Sequence, residues 1–191
     1  DNVFLFSRDN GIQLGKHFCG LCPVVVLFLE DLRHINTSSD SEVIAKIVAS
    51  APATTWEARM AYLMRKVQGA YSLTLIPEKE LIAVRDPLGV RPLCFGSVNG
   101  GWIIASESCA LDNVGAKFVR EVNPGEAIMF DSNGFKSIYQ KDTDKCSFCV
   151  FEHIYFARPD SKIDGKLVYK SRLLMGKELA REHPVEADMV I

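Results

Sequence analysis

Arg85-Asp86-Pro87-Leu88-Gly89-Val90-Arg91-Pro92-Leu93 lies between two strand-like runs, Ala70–Arg85 before it and Trp102–Ser106 after it. Pro87 holds φ near −65° and Gly89 tolerates positive φ, so the chain must turn sharply here. Arg85, Asp86 and Arg91 crowd that turn with charge. From charge alone the expectation is a local ion-pair network that stabilises a turn and carries no chemistry.

The strands around the turn read outward from it. Ala70–Ile76 is continuously apolar, Pro77–Glu80 is polar, and Leu81–Arg85 returns as its partner. Beyond the turn, Leu93–Gly96 and Trp102–Ser106 flank Asn99-Gly100-Gly101, and Ser106–Ala110 begins a short helix. Lys117–Val122 and Ala127–Phe130 are strands joined by Asn123-Pro124-Gly125-Glu126, with Pro and Gly where a β-turn favours them. Ser132-Asn133-Gly134 turns the chain into Phe135–Tyr139.

Two helices precede this sheet material. Ser39-Asp40-Ser41-Glu42 has the form of a capping box and leads into Val43, Ile44, Ile47 and Val48 at helical spacing. Thr54-Thr55-Trp56-Glu57 repeats the signal, predicting a helix through Ala58, Ala61, Met64 and Val67 that ends at Gly69. Nearer the N-terminus, Val3–Phe6 and Ile12–Leu14 flank Asn10-Gly11, a candidate type I′ hairpin. The run Cys22–Leu29 suits a buried strand or a helix equally. After the polar stretch Lys141–Lys145 come apolar Val150–Phe156, a polar loop Ala157–Gly165, and a helix Leu167–Glu182 stopped before Pro184. Strands with two preceding helices imply an α+β layered domain.

Composition narrows the function classes. The chain has 191 residues, 48% hydrophobic and 24% charged, which is the balance of a globular protein with a sizeable core. A net charge of −2 without a basic block offers no nucleic-acid surface. The longest apolar run, Val24–Leu29, is far below the ~20 residues that span a bilayer, so no membrane association is expected. Six cysteines in a core-rich chain read as reduced thiols. Cys19/Cys22 and Cys146/Cys149 have Cys-x-x-Cys spacing, but neither pair carries the His or Gly-rich knuckle of a zinc site.

The motif Arg-Asp-Pro-x-Gly-x-Arg-Pro-Leu at 85–93 resembles the core hairpin of the amidophosphoribosyltransferases. Further stretches resemble the same family in the same order: Asn36–Glu42, Gly69-Ala70-Tyr71-Ser72, Ala105–Ser108 with Arg120–Glu126, and Phe151–Ser161 with its Phe-Ala-Arg-Pro-Asp-Ser run. The likeness covers about Leu29 to Ile191. It implies an α+β fold: an incomplete αββα sandwich of the N-terminal-nucleophile-hydrolase type over residues 1–145, followed at 146–191 by the start of an α/β phosphoribosyltransferase domain. It further implies a glutaminase that passes ammonia to a second site, where pyrophosphate is displaced from phosphoribosyl pyrophosphate in the first step of purine biosynthesis. The family nucleophile is an N-terminal Cys thiolate with its own α-amino group as base.

The sequence departs from that pattern at the nucleophile. Residue 1 is Asp, no His-Arg-Gly-Gln follows any cysteine, and Cys19-Gly20-Leu21 lacks the residues that should come next. The Arg-Tyr-Ala and His-Asn-Gly segments of the family are missing too, although Arg8-Asp9-Asn10-Gly11 reads as a degraded form of the latter or as an earlier hairpin. No catalytic residue is therefore assigned, and the chain by itself is expected to be inactive.

Three residues carry what the resemblance implies. Asp40 is the substrate-binding candidate, its carboxylate pairing with the α-ammonium of glutamine; the alternative is a helix cap that favours the dipole. Cys149 aligns with a ligand of a [4Fe–4S] cluster in iron–sulfur members, where four thiolates are needed; the alternative is a buried thiol. Tyr155 lies in the run that borders the family's ammonia path, and reads on its own as a core aromatic. Arg158 and Asp160 are expected to brace a loop. Mg would belong to the transferase half, and the intact protein is expected to be a homo-oligomer in the cytoplasm, or in a plastid behind a transit peptide. The rival readings are a non-catalytic amino-acid-binding or regulatory module, another class II glutamine amidotransferase, and a truncated product that leaves sheet edges uncovered.

Overall fold

Asn99 and Gly100 both adopt positive φ, 49° and 77°, and pair Val98 with Gly101 in a tight two-residue hairpin. That hairpin belongs to a computed structural model that describes residues 2–7, 11–16, 25–28, 40–77, 79–143 and 145–189, the first three stretches and Asp40 as backbone alone. Twelve strands and four α-helices follow in the order β1 (Asn2–Ser7), β2 (Gly11–Lys16), β3 (Val25–Phe28), α1 (Asp40–Ala49), α2 (Trp56–Lys66), β4 (Ser72–Ile76), β5 (Leu81–Arg85), β6 (Cys94–Val98), β7 (Gly101–Ala105), α3 (Ser108–Asn113), β8 (Lys117–Glu121), β9 (Glu126–Asp131), β10 (Gly134–Gln140), β11 (Lys162–Ile163), β12 (Lys166–Leu167) and α4 (Val168–Glu182) among the described residues. A π-helical turn, Glu152–Phe156, stands before β11.

The strands form two five-stranded sheets, β2-β1-β7-β6-β8 and β10-β9-β5-β4-β3. Every pairing is antiparallel except β3 with β4, where Val25 lies opposite Leu73 and Phe28 opposite Ile76. This settles Val25–Phe28 as a strand. β1 and β2 form the expected N-terminal hairpin, with Ser7 opposite Gly11; its connecting residues lie outside the described ones.

The alternation of side chains sorts the core into layers. Between the sheets pack Leu81, Leu93, Phe95, Ile104, Ile128 and Phe130, with Phe95 edge-on to Phe130 at 5.1 Å. On the far face of the second sheet, Leu73, Leu75, Ile82 and Val84 meet Val48 of α1 and Leu63 of α2. On the far face of the first sheet, Ile103 and Ala105 meet Ala110 and Leu111 of α3. The order is helix, sheet, sheet, helix. β4 and β5 are buried along their whole length, as a strand covered on both faces must be, and each Leu or Ile so buried contributes about 1.5–3 kcal/mol.

Two details differ from the sequence expectation. α2 starts where predicted, Thr55 accepting the Ala58 N–H at 3.3 Å. Its buried stripe, however, is Met60, Leu63 and Met64, while Ala58 faces solvent. It ends at Lys66 because Val67 is already extended (φ −97°, ψ 124°), ahead of Gly69. The second concerns β8 and β9, which their β-turn joins but which lie in different sheets. Glu126 N–H donates to Asn123 O at 3.1 Å, and Arg120 forks onto Glu126 with two bonds of 2.8 Å, stapling the corner where the chain changes layers.

Candidate functional site

The turn 85–93 is built from backbone groups rather than from paired charges. Arg85, 3% exposed, donates from Nε to Arg91 O at 2.9 Å, from Nη1 to Val122 O at 2.8 Å and from Nη2 to Gly89 O at 2.9 Å. Asp86, fully buried, accepts the N–H of Leu88 at 2.9 Å and of Val90 at 3.1 Å. Its own carbonyl takes the N–H of Gly89 and of Gly125, each at 2.9 Å. The expected local ion-pair network is therefore corrected. In a buried turn each charge is worth more against several unpaired peptide dipoles than against a single neighbour. Burial raises the Asp86 pKa, and the surrounding N–H donors pull the other way without cancelling it.

Gly89 is required twice over. Its φ is +67°, and a Cβ there would lie 2.6 Å from Pro124 Cγ. The turn is thus pressed against the β8–β9 corner, which brings the two most turn-rich segments of the sequence together.

Asp40 is the first residue of α1. The pocket expected for its side chain lies outside the described residues, as do Asn36 to Ser39, Cys19 and Cys22. One turn further along α1, Val43 and Ile44 line a cavity of about 350 Å³ with Val67, Gln68, Gly69 and Tyr71. Spacing of three and four residues puts Asp40, Val43 and Ile44 on one helix face. Tyr71 is 7% exposed and its hydroxyl has no partner among the described residues. Burial, then the charge of Asp86, raise its pKa beyond the ordinary phenol range, so it stays protonated. Burial raises the Cys94 and Cys109 thiols as well, and thiols kept protonated are poor nucleophiles.

The third locus is the segment after Lys145. Ser147 N–H donates to Leu88 O at 2.8 Å, and Arg91 pairs with Glu152 at 2.8 Å while lying 5.3 Å from the Phe156 ring centre. Glu107 accepts the Arg158 N–H at 2.8 Å and the Ser161 hydroxyl at 2.6 Å. Ser108 Oγ accepts the Lys162 N–H at 2.9 Å, and the Asp164 and Gly165 N–H groups reach Glu121. Glu107 and Glu152 were not singled out by the sequence reading. The available signal was a carboxylate between an apolar strand and an Ala/Leu helix (Glu107), or inside an aromatic run (Glu152), positions where a carboxylate has to be partnered.

Arg158 forks onto Asp160 at 3.0 and 2.8 Å, bracing the loop as expected. Tyr155 is 71% exposed, which corrects its reading as a core aromatic: the π-helical turn rotates it outward. Cys149 is half-buried and Cys146 exposed. Among the described residues no three His, Cys, Asp or Glu side chains gather to hold a metal, so the residues described do not make a four-thiolate set, and no chemistry is routed through one.

Comparison with known proteins follows the geometry. Residues 28–113 match the model of a glutamine amidotransferase domain. The amidophosphoribosyltransferase of Mycobacterium tuberculosis is 46% identical over 156 residues, 81% of this chain and 29% of the relative. That of Archaeoglobus fulgidus is 42% identical over 160 residues, 83% of this chain and 35% of the relative. The chloroplastic enzyme of Glycine max is 45% identical over 157 residues, 82% of this chain and 28% of the relative. Two solved structures superpose with a TM-score of 0.74 at 40% identity. One, described as the allosteric regulatory enzyme of purine biosynthesis, covers 81% of this chain and 33% of itself. The other, the glutamine phosphoribosylpyrophosphate amidotransferase of B. subtilis with ADP and GMP, covers 84% and 35%. The chain spans about one third of the length of the relatives it matches. Over four-fifths of its length, with the same layered α+β fold, it is a relative of the amidophosphoribosyltransferases and carries part of their glutamine amidotransferase domain.

Proposed function

We propose that this chain is part of an enzyme that forms phosphoribosylamine from glutamine and phosphoribosyl pyrophosphate. Residues 1–145 supply most of the glutaminase layers and residues 146–191 open the transferase domain. The observation that carries this reading is the joint agreement of 40% identity with a TM-score of 0.74 across more than four-fifths of the chain. Asp40, opening α1, holds the α-ammonium of glutamine. Cys149 is one ligand of a [4Fe–4S] cluster whose other thiolates come from outside the described residues, and Mg serves the transferase site. The intact protein is a homo-oligomer and works in the cytoplasm, or in a plastid as the name of the soybean relative indicates for that protein.

The test is a chimera in which residues 40–182 replace the matching stretch of the M. tuberculosis relative. Glutamine-dependent phosphoribosylamine formation within about tenfold of the parent is the expected result. A folded chimera that works with neither glutamine nor ammonia would overturn the reading. In that chimera Asp40→Asn should raise the glutamine KM and spare ammonia-dependent synthesis; equal loss of both would remove Asp40 from the substrate site.

A second reading is favoured by one observation: no cysteine of this sequence is followed by His-Arg-Gly-Gln. On that reading the chain is a module that holds an amino acid without hydrolysing it. Glutamine binding by the 191-residue chain without glutamate release would support it. Glutamate release above a Cys19→Ala control would exclude it.

A further inference from the structure

Residues 147–168 lie along the sandwich as a strap with two attachments of different character. The downstream attachment is sunk: Glu107, 5% exposed, receives Arg158 N–H and the Ser161 hydroxyl, and Ala157, Ile163 and Val168 bury against one another. The upstream attachment lies nearer the surface. It consists of the Arg91–Glu152 pair at 2.8 Å, in which the Arg91 side chain is 31% exposed and that of Glu152 3%, and the Ser147–Leu88 bond.

Between the two, the backbone winds as a π-helix, with Ala157 N–H donating to Glu152 O at 3.1 Å. Such turns are uncommon and concentrate where a segment serves a function. Phe148, Phe151, Ile154 and Tyr155 point outward at 60%, 56%, 45% and 71% exposure, so apolar burial does little to hold this stretch. Regions with few buried apolar contacts open locally at a lower free energy than the core.

We propose that residues 148–156 form a flap hinged at Ala157 and held shut by the Arg91 guanidinium, so that the central turn governs whether the segment is docked. The physical reason is the state of Glu152. Its carboxylate sits in the fold opposite a single visible cation, and removal of one partner from such a pair leaves a buried charge that local opening relieves. Arg91 is suited to the part because its carbonyl is bound by Arg85 and Ser72. The side chain can therefore change without undoing the turn. The inference concerns the mechanics of this chain and stands apart from the proposed reaction.

Hydrogen–deuterium exchange of the full 191-residue chain tests it. Arg91→Met should speed exchange of amides 150–156 at least tenfold, while 158–163 and strands β4 and β5 keep their protection. Glu152→Gln should give the same localised pattern, and the double variant should be no faster than Arg91→Met alone. Glu107→Gln should show the converse, with 158–163 accelerated first. Unchanged exchange at 150–156 in both single variants would overturn the proposal, as would equal acceleration across the flap, residues 158–163 and the two strands. If Arg91→Met does not fold, Glu152→Gln decides alone by the same two outcomes.

Discussion

Arg85 Nη1 donates to the carbonyl of Val122 at 2.8 Å, joining β5 of one sheet to the end of β8 in the other across 37 residues of sequence. The same guanidinium also satisfies Arg91 O and Gly89 O. One buried cation thus completes the backbone hydrogen bonding of the turn and ties the two layers together.

Arg85→Met should remove three hydrogen bonds at once and leave buried carbonyls without donors. At about 1–3 kcal/mol for each unsatisfied group, a loss of roughly 3 kcal/mol or more is expected. Urea denaturation measures it, with the m-value unchanged if the fold persists. Arg85→Lys should recover less than half, since a single ammonium cannot reach three carbonyls in divergent directions. A loss below about 1 kcal/mol for Arg85→Met would contradict this account.

Two glycines separate conformation from space. Gly89 and Gly100 both have positive φ, but a Cβ at Gly89 meets Pro124 Cγ at 2.6 Å whereas one at Gly100 meets nothing within 4 Å. Gly100→Ala should therefore cost the left-handed backbone penalty of about 1 kcal/mol. Gly89→Ala should cost about 2 kcal/mol more, because turn and corner must part. Thermal melts of the two variants side by side decide; equal shifts would count against the close approach.

Acid stability should depend on Glu126. Burial raises its pKa, but the hydrogen bonds from Arg120, the Asn123 N–H and Ser137, with the Arg120 charge, outweigh that and leave the pKa below its ordinary 4.5. A carboxyl lowered on folding contributes stability that is complete above its unfolded value and disappears as pH falls through the folded value. Glu126→Gln should therefore lose about 2 kcal/mol at pH 7, and the gap between variant and wild type should narrow from about pH 4.5 downward. A gap that is constant with pH would show that the carboxylate's charge is not what matters.

Thr74 lies on β4, and its hydroxyl is buried without a partner among the described residues. Valine has nearly the same shape and no hydroxyl to desolvate. Thr74→Val is expected to be neutral or to stabilise by about 1 kcal/mol. A clear loss in a denaturant melt would reveal a hydrogen bond to that hydroxyl.

Elements whose signals are local were legible in the chain itself. Thr55 caps α2, Asn99-Gly100 closes a hairpin, Pro124-Gly125 turns the corner and Pro184 lies just past the end of α4. In each case the deciding groups lie within about four residues of one another, and their conformational limits are properties of the residue types. The layered α+β architecture followed from the order of those elements and from the resemblance carried by residues 85–93.

Pairing across the fold was not legible, for the same physical reason inverted. Whether Arg85 meets Asp86 or Val122, and whether Arg91 stays in its turn or reaches Glu152 across 61 residues, depends on which strands become neighbours. A buried charge takes the partners that packing brings within about 3 Å, and sequence proximity has no say in that. The same holds for β8 and β9, adjacent along the chain yet in separate sheets. It holds for Tyr155 too, turned to solvent by an i to i+5 backbone ladder that no side-chain periodicity announces. Local stereochemistry wrote the list of elements, and long-range packing chose which of their polar groups would meet.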